Sequence, residues 1–184
     1  FYTKAGVGEK MTLPDMLSFF ESELQKASVN KSDKEDLLDK GHVCLEAWYE
    51  KNKNNIPERV QTEFRIPSVN LTDDIRLTGV LDRIDYLDGS DTRVRVVDYK
   101  TGKAKSENYI KGETKDSAGD YYRQIVFYKL LLSLDKNGRR KMEEGVLQFV
   151  EPNDKGEIRE FAFNPTDEEV EELKETIKKV ADEI

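Results

Sequence analysis

The chain has 184 residues, 36% of them hydrophobic, with mean hydropathy −0.76. That is enough for one domain with a core of useful size. No apolar run approaches the length of a membrane span, and no signal-peptide pattern opens the sequence. Cys44 is the only cysteine, which excludes an internal disulfide framework and a Cys-based zinc cluster; a reducing, cytoplasmic setting is the default expectation. The chain opens on Phe1 rather than Met, which suggests a piece of a longer polypeptide.

In chain order, Leu13-Pro14-Asp15 opens a helix expected to run to Lys26, because proline is favoured in a first helical turn. Asn30 to Asp33 is a polar break, and a second helix follows over 33–52 with Leu38, His42, Leu45 and Tyr49 on one side. Residues 61–69, 77–86 and 94–100 read as strands, with Asp88-Gly89 turning the second into the third. Thr101-Gly102 is expected to end the third strand, and residues 103–119, lacking apolar periodicity, to form a long mobile loop. A helix over 120–134, strands over 145–151 and 157–163 joined by Asn153-Asp154-Lys155-Gly156, and an acidic last helix capped by Thr166 and Glu169 complete the reading.

Chemistry concentrates between Leu77 and Lys103. Asp98 and Lys100 are two apart on a valine-rich strand and share a face. If residues 77–86 and 94–100 pair as a hairpin, the natural register sets Asp82 near Asp98. Charges are costly inside such strands unless compensated, and two adjacent carboxylates repel. A divalent cation such as Mg²⁺ removes both costs, since it prefers hard oxygen ligands. The bland alternative, a solvated Asp–Lys pair on an exposed edge, is weakened by the convergence of three such groups.

The net charge of −8 argues on its face against a nucleic-acid partner. Acids, however, crowd residues 166–175, whereas Lys100, Lys103, Lys105, Lys111, Lys115, Arg123 and Lys129 lie around the charged hairpin in sequence. There is no Gly-rich phosphate loop and no G-x-S-x-G elbow.

Gly79-Val80-Leu81-Asp82-Arg83-Ile84-Asp85 followed by Val97-Asp98-Tyr99-Lys100-Thr101-Gly102, with Gln124 and Tyr128 on a downstream helix, resembles the PD-(D/E)XK nuclease superfamily, and within it the RecB-type domains. The resemblance spans roughly residues 40–134. It implies an α/β (α+β) restriction-endonuclease-like core, a central mixed sheet with helices on both sides, in a single nuclease domain cut from a larger helicase-nuclease. It implies a metal-dependent deoxyribonuclease, of exonuclease type, acting in DNA repair or recombination on single-stranded DNA or duplex ends beside a helicase motor.

By the same resemblance Asp82, Asp98, Lys100 and Gln124 are catalytic, and Asp82, Asp98, the Tyr99 backbone carbonyl and His42 hold Mg²⁺ or Mn²⁺. A lone histidine on an apolar helix face is more often structural, but His42-Val43-Cys44-Leu45-Glu46 matches the family's metal-binding helix, although the small residues usual several positions earlier are replaced by Leu38 and Asp39. Gln124 would orient water or a phosphate and Tyr128 would pack beside the site; Glu63 is an accessory acid, and Lys103, Lys105 and Arg123 are DNA-binding candidates. The single cysteine rules out the four-cysteine iron–sulfur cluster of some relatives. The competing class is a non-catalytic DNA-binding or scaffolding domain on the same fold. It predicts broken motifs, whereas the acids, the lysine and the glutamine are all present.

Overall fold

The computed structural model describes residues 11–87, 89, 91–136 and 139–183. Among the described residues ten elements follow one another: α1 (Leu13–Lys26), α2 (Lys31–Asn52), β1 (Val60–Asn70), β2 (Arg76–Tyr86), β3 (Arg93–Lys103), α3 (Glu107–Lys111), α4 (Asp120–Leu134), β4 (Lys141–Glu151), β5 (Arg159–Phe163) and α5 (Asp167–Asp182). The strands form one five-stranded sheet in the order β1-β2-β3-β4-β5. β1 with β2 and β2 with β3 are antiparallel. Along β3 and β4 the partners advance together, Lys141 N–H to Thr92 O and then Arg95 to Glu144, so this pair is parallel. The result is a mixed sheet flanked by helices, the restriction-endonuclease-like α/β fold.

Local chemistry sets the helix ends. Thr12 caps α1 in a reciprocal box with Asp15, and Thr166 does the same for α5 with Glu169. Asn30 accepts from the Asp33 amide, so α2 begins at Lys31, two residues before the predicted start. Two expectations fail. β3 continues through Thr101-Gly102 to Lys103, because nothing at Gly102 forces a turn. The predicted loop over 103–119 contains α3, capped by Ser106 and closed by Gly112, with Ile110 completely buried. The turn expected at Asp88-Gly89 falls partly on Asp88, outside the described residues.

The chain divides into two compact units. One comprises residues 1–57, 99–104 and 148–160. In it α1 lies on α2 at Gly41, where a Cβ would come 2.2 Å from the Phe20 ring. Trp48 Nε1 donates to Gln148 Oε1 at 2.7 Å, and Gln148 Nε2 passes the chain on to Glu160 at 2.9 Å. The ring of Tyr99 meets Trp48 edge-on at 6.3 Å.

The other unit comprises residues 58–98, 105–147 and 161–184. Helix α4 packs across β1 and β2, with Ile125, Leu130 and Leu131 fully buried. It can approach because Gly79 carries no side chain: a Cβ there would stand 2.5 Å from Leu131 Cδ1. Helix α5 covers α4 with Val170, Leu173 and Ile177, spaced three and four apart on one stripe. Lys129 fastens the start of α5 by donating to Pro165 O at 2.6 Å and pairing with Asp167 at 2.7 Å. That pairing, above all its hydrogen bond, lowers the Asp167 pKa.

On β2, Arg83 and Asp85 are two apart, both almost fully buried, and meet through Nε at 2.8 Å and NH2 at 2.9 Å. Burial pushes the Asp85 carboxyl up, and the Arg83 and Arg95 guanidiniums pull it back. Breaking a buried pair strands one charge, whereas removing both does not. Arg83→Met is therefore expected to cost about 3–5 kcal/mol in urea denaturation, and the double variant Arg83→Met/Asp85→Leu to recover most of that loss. A double variant no more stable than the single one would show that the pair's value lies elsewhere than in mutual compensation.

Candidate active site

The hairpin fixes the two acids. The β2–β3 register runs Tyr86–Val94, Ile84–Val96 and Arg83–Val97, and Asp82 and Asp98 are the residues that adjoin the last of these pairs. Asp98 is buried at 2% exposure and Asp82 is half-buried. Lys100 follows Asp98 by two residues on β3, which gives it the same side of the strand, and it is half-buried.

Helix α4 supplies the support. Tyr128 donates its hydroxyl proton to Asp98 Oδ1 at 2.7 Å, and Gln124 Nε2 donates to the Tyr128 oxygen at 2.7 Å. Four residues separate Gln124 from Tyr128, so one helical face carries the relay. The Tyr128 pKa is pushed far up, first by burial and then by the charge on Asp98, its hydrogen bond and the charge on Asp82; the Gln124 bond acts against this. Tyr128 therefore keeps its proton and acts as a donor, which makes Asp98 the acceptor. Motif reasoning placed Tyr128 merely beside the site, whereas it touches Asp98 directly. The Gln124–Tyr128 bond also went unread, although the four-residue spacing was its signal.

The remaining candidates fall in different settings. The register on either side of Glu63 (Thr62–Arg83 and Phe64–Leu81) aligns it with Asp82, so Glu63, Asp82 and Asp98 stand in one row across three strands. Glu63 is exposed and its backbone is left-handed, with φ +50. His42, in the first unit, has Nε2 at 2.9 Å from Glu21 Oε1 and its ring edge-on to Phe20. Among the basic candidates, Arg123 pairs with Asp120 at 2.8 Å and donates to Ala118 O at 2.6 Å, and Lys103 lies 3.8 Å from Asp154. Lys111 pairs with Glu107 at 2.7 Å, and Lys105 lies over the Tyr109 ring at 5.3 Å. Much of the basic rim expected from sequence is thus neutralised locally.

The comparisons bear on this geometry. The chain belongs to the PD-(D/E)XK nuclease superfamily, whose model matches residues 12–184. A solved structure titled "Crystal structure of SSO0001" is similar at 19% identity over 96% of this chain and 81% of that one, with a TM-score of 0.39. No curated protein matches.

Nucleases of this superfamily generally use divalent ions such as Mg²⁺. The donor chemistry here fits one: two carboxylates face each other across a hairpin, one of them deeply buried, and both offer hard oxygen. Among the described residues, no group of three or more His, Cys, Asp or Glu side chains gathers into a metal cluster.

Removing the Tyr128 hydroxyl leaves a buried carboxylate oxygen without its donor. Tyr128→Phe is expected to lower stability by about 1–3 kcal/mol, and Gln124→Ala by less, because the Tyr128–Asp98 bond survives. Guanidinium denaturation of both variants checks the order, and a larger loss for Gln124→Ala would reverse the proposed direction of support.

Proposed function

We propose that this chain is a metal-dependent deoxyribonuclease of the RecB type, an exonuclease that hydrolyses phosphodiester bonds during DNA repair or recombination as part of a helicase-nuclease. The observation that carries the reading is the buried Asp98, set opposite Asp82 by the hairpin register and held by Tyr128 and Gln124. A structural ion pair needs no such apparatus around a carboxylate; a site that must present two acids to a cation does. The ordered motifs from Gly79 to Tyr128 favour the RecB type, and that likeness brings the helicase partner with it.

In this reading Asp82, Asp98 and the Tyr99 carbonyl hold Mg²⁺ or Mn²⁺, which would supply Lewis-acid polarisation of the scissile phosphate. Asp98 is kept oriented by the hydrogen bond from Tyr128. Lys100, on the Asp98 side of β3, neutralises charge that builds on the phosphoryl oxygens or positions the attacking water. Gln124 acts through Tyr128 rather than by gripping the phosphate itself. His42 joins as a further donor; a ligating histidine commonly gives its other ring nitrogen to a carboxylate, which is the relation Glu21 offers.

The test is incubation with linear and circular, single- and double-stranded DNA in Mg²⁺, Mn²⁺ or EDTA. Cleavage of linear DNA that EDTA abolishes is expected. Cutting of closed circles would replace the exonuclease assignment by an endonuclease one. Binding without cleavage in any metal would leave a DNA-binding domain on a nuclease fold.

Asp98→Ala and Lys100→Ala are each expected to lower the cleavage rate by about a hundredfold or more, as loss of a single charge-stabilising group does elsewhere. Normal rates in both purified, folded variants would remove the mechanism.

A further inference from the structure

Next to the Gln124 end of α4 lies a surface the catalytic reading does not use. Tyr109 on α3 and Tyr121 in the first turn of α4 are both half-buried, their ring centroids 6.5 Å apart and tilted by 53°. The exposed Lys105 places its ammonium over the Tyr109 ring. Tyr121 precedes Gln124 by three residues and so lies one turn from it on the same side of α4. Two acids on these helices are paired, Glu107 with Lys111 and Asp120 with Arg123.

The platform is held firmly. Gly112 ends α3 at φ +80 and Gly119 precedes α4 at φ +74, and the two backbones touch: a Cβ on Gly112 would lie 2.8 Å from Gly119 N. Ser117 Oγ donates to Tyr109 O at 2.6 Å and accepts from Gly119 N–H at 3.1 Å. Ile110 is fully buried beneath. Two aromatic faces on a fixed support, with a cation over one of them, are the elements that grip unpaired bases and their backbone.

We infer that Tyr109, Tyr121 and Lys105 form a stacking platform for unpaired bases of single-stranded DNA, which holds the strand beside the helix carrying Gln124 and Tyr128. This deepens the nuclease reading by naming the substrate form, and rests on it only for the direction in which the strand is led. A duplex, whose bases are already stacked, gains nothing from the rings.

The experiment is fluorescence anisotropy of the whole chain with a labelled oligothymidine and with a blunt duplex of equal length, in EDTA so that no cleavage intervenes. Tyr109→Leu/Tyr121→Leu is expected to weaken single-strand binding about tenfold or more while duplex affinity stays within twofold. Tyr109→Phe/Tyr121→Phe, which keeps both rings, is expected to bind as the parent does. Lys105→Glu, at an exposed position that leaves folding intact, is expected to weaken single-strand binding several-fold and to flatten its salt dependence.

Unchanged single-strand affinity in the double leucine variant, an equal loss for duplex, or no single-strand binding by the parent chain would each overturn the platform. Cleavage is scored separately in Mg²⁺. A parent that shows the ring effect but never cuts keeps the platform and loses the nuclease reading, and one that cuts without the ring effect does the reverse.

Discussion

The hydrogen bond from Tyr128 to Asp98 is the constraint around which this part of the molecule is arranged. A carboxylate buried to 2% exposure on a valine-rich strand is unstable unless something compensates its charge. The helix provides a proton donor, Tyr128, whose own pKa is pushed up first by burial and then by the charge on Asp98. For the donor to arrive, α4 must lie close on the sheet, and Gly79 makes the necessary space. For α4 to stay there, α5 must cover its outer face, which it does with one apolar stripe and the Lys129 clasp.

The two sides of β2 handle charge differently. Arg83 and Asp85 pair within one strand, through Nε at 2.8 Å and one hydrogen bond from NH2 at 2.9 Å, with the Arg95 charge acting on Asp85 as well. Asp82 and Asp98 share a sign, and Asp98 takes its hydrogen bond from Tyr128 on the helix instead.

Much of this was legible in the sequence, and for physical reasons. The Thr166–Glu169 capping box and the span of α4 depend on spacing within a few residues, where periodicity and cap chemistry decide the outcome, whereas the Thr12–Asp15 box lay behind a start read from proline alone. The failures have the opposite character. Helix α3 has only five residues and owes its existence to Ser106, Ile110 and a backbone contact between two glycines, none of which produces an apolar period. The extra residues of β3 reflect neighbouring strands rather than local preference. The meeting of His42 with Glu21, and of Trp48 with Gln148 a hundred residues away, joins side chains that no window along the chain brings together.

Glu63 leaves a last consequence. It occupies a left-handed backbone position in the middle of β1, where a side chain costs on the order of 1–2 kcal/mol relative to glycine. Conformational energy alone would push this position toward glycine or asparagine. A laboratory selection for thermal tolerance, blind to turnover, would therefore be drawn to this residue and would erase one acid from the row that Asp82 and Asp98 complete.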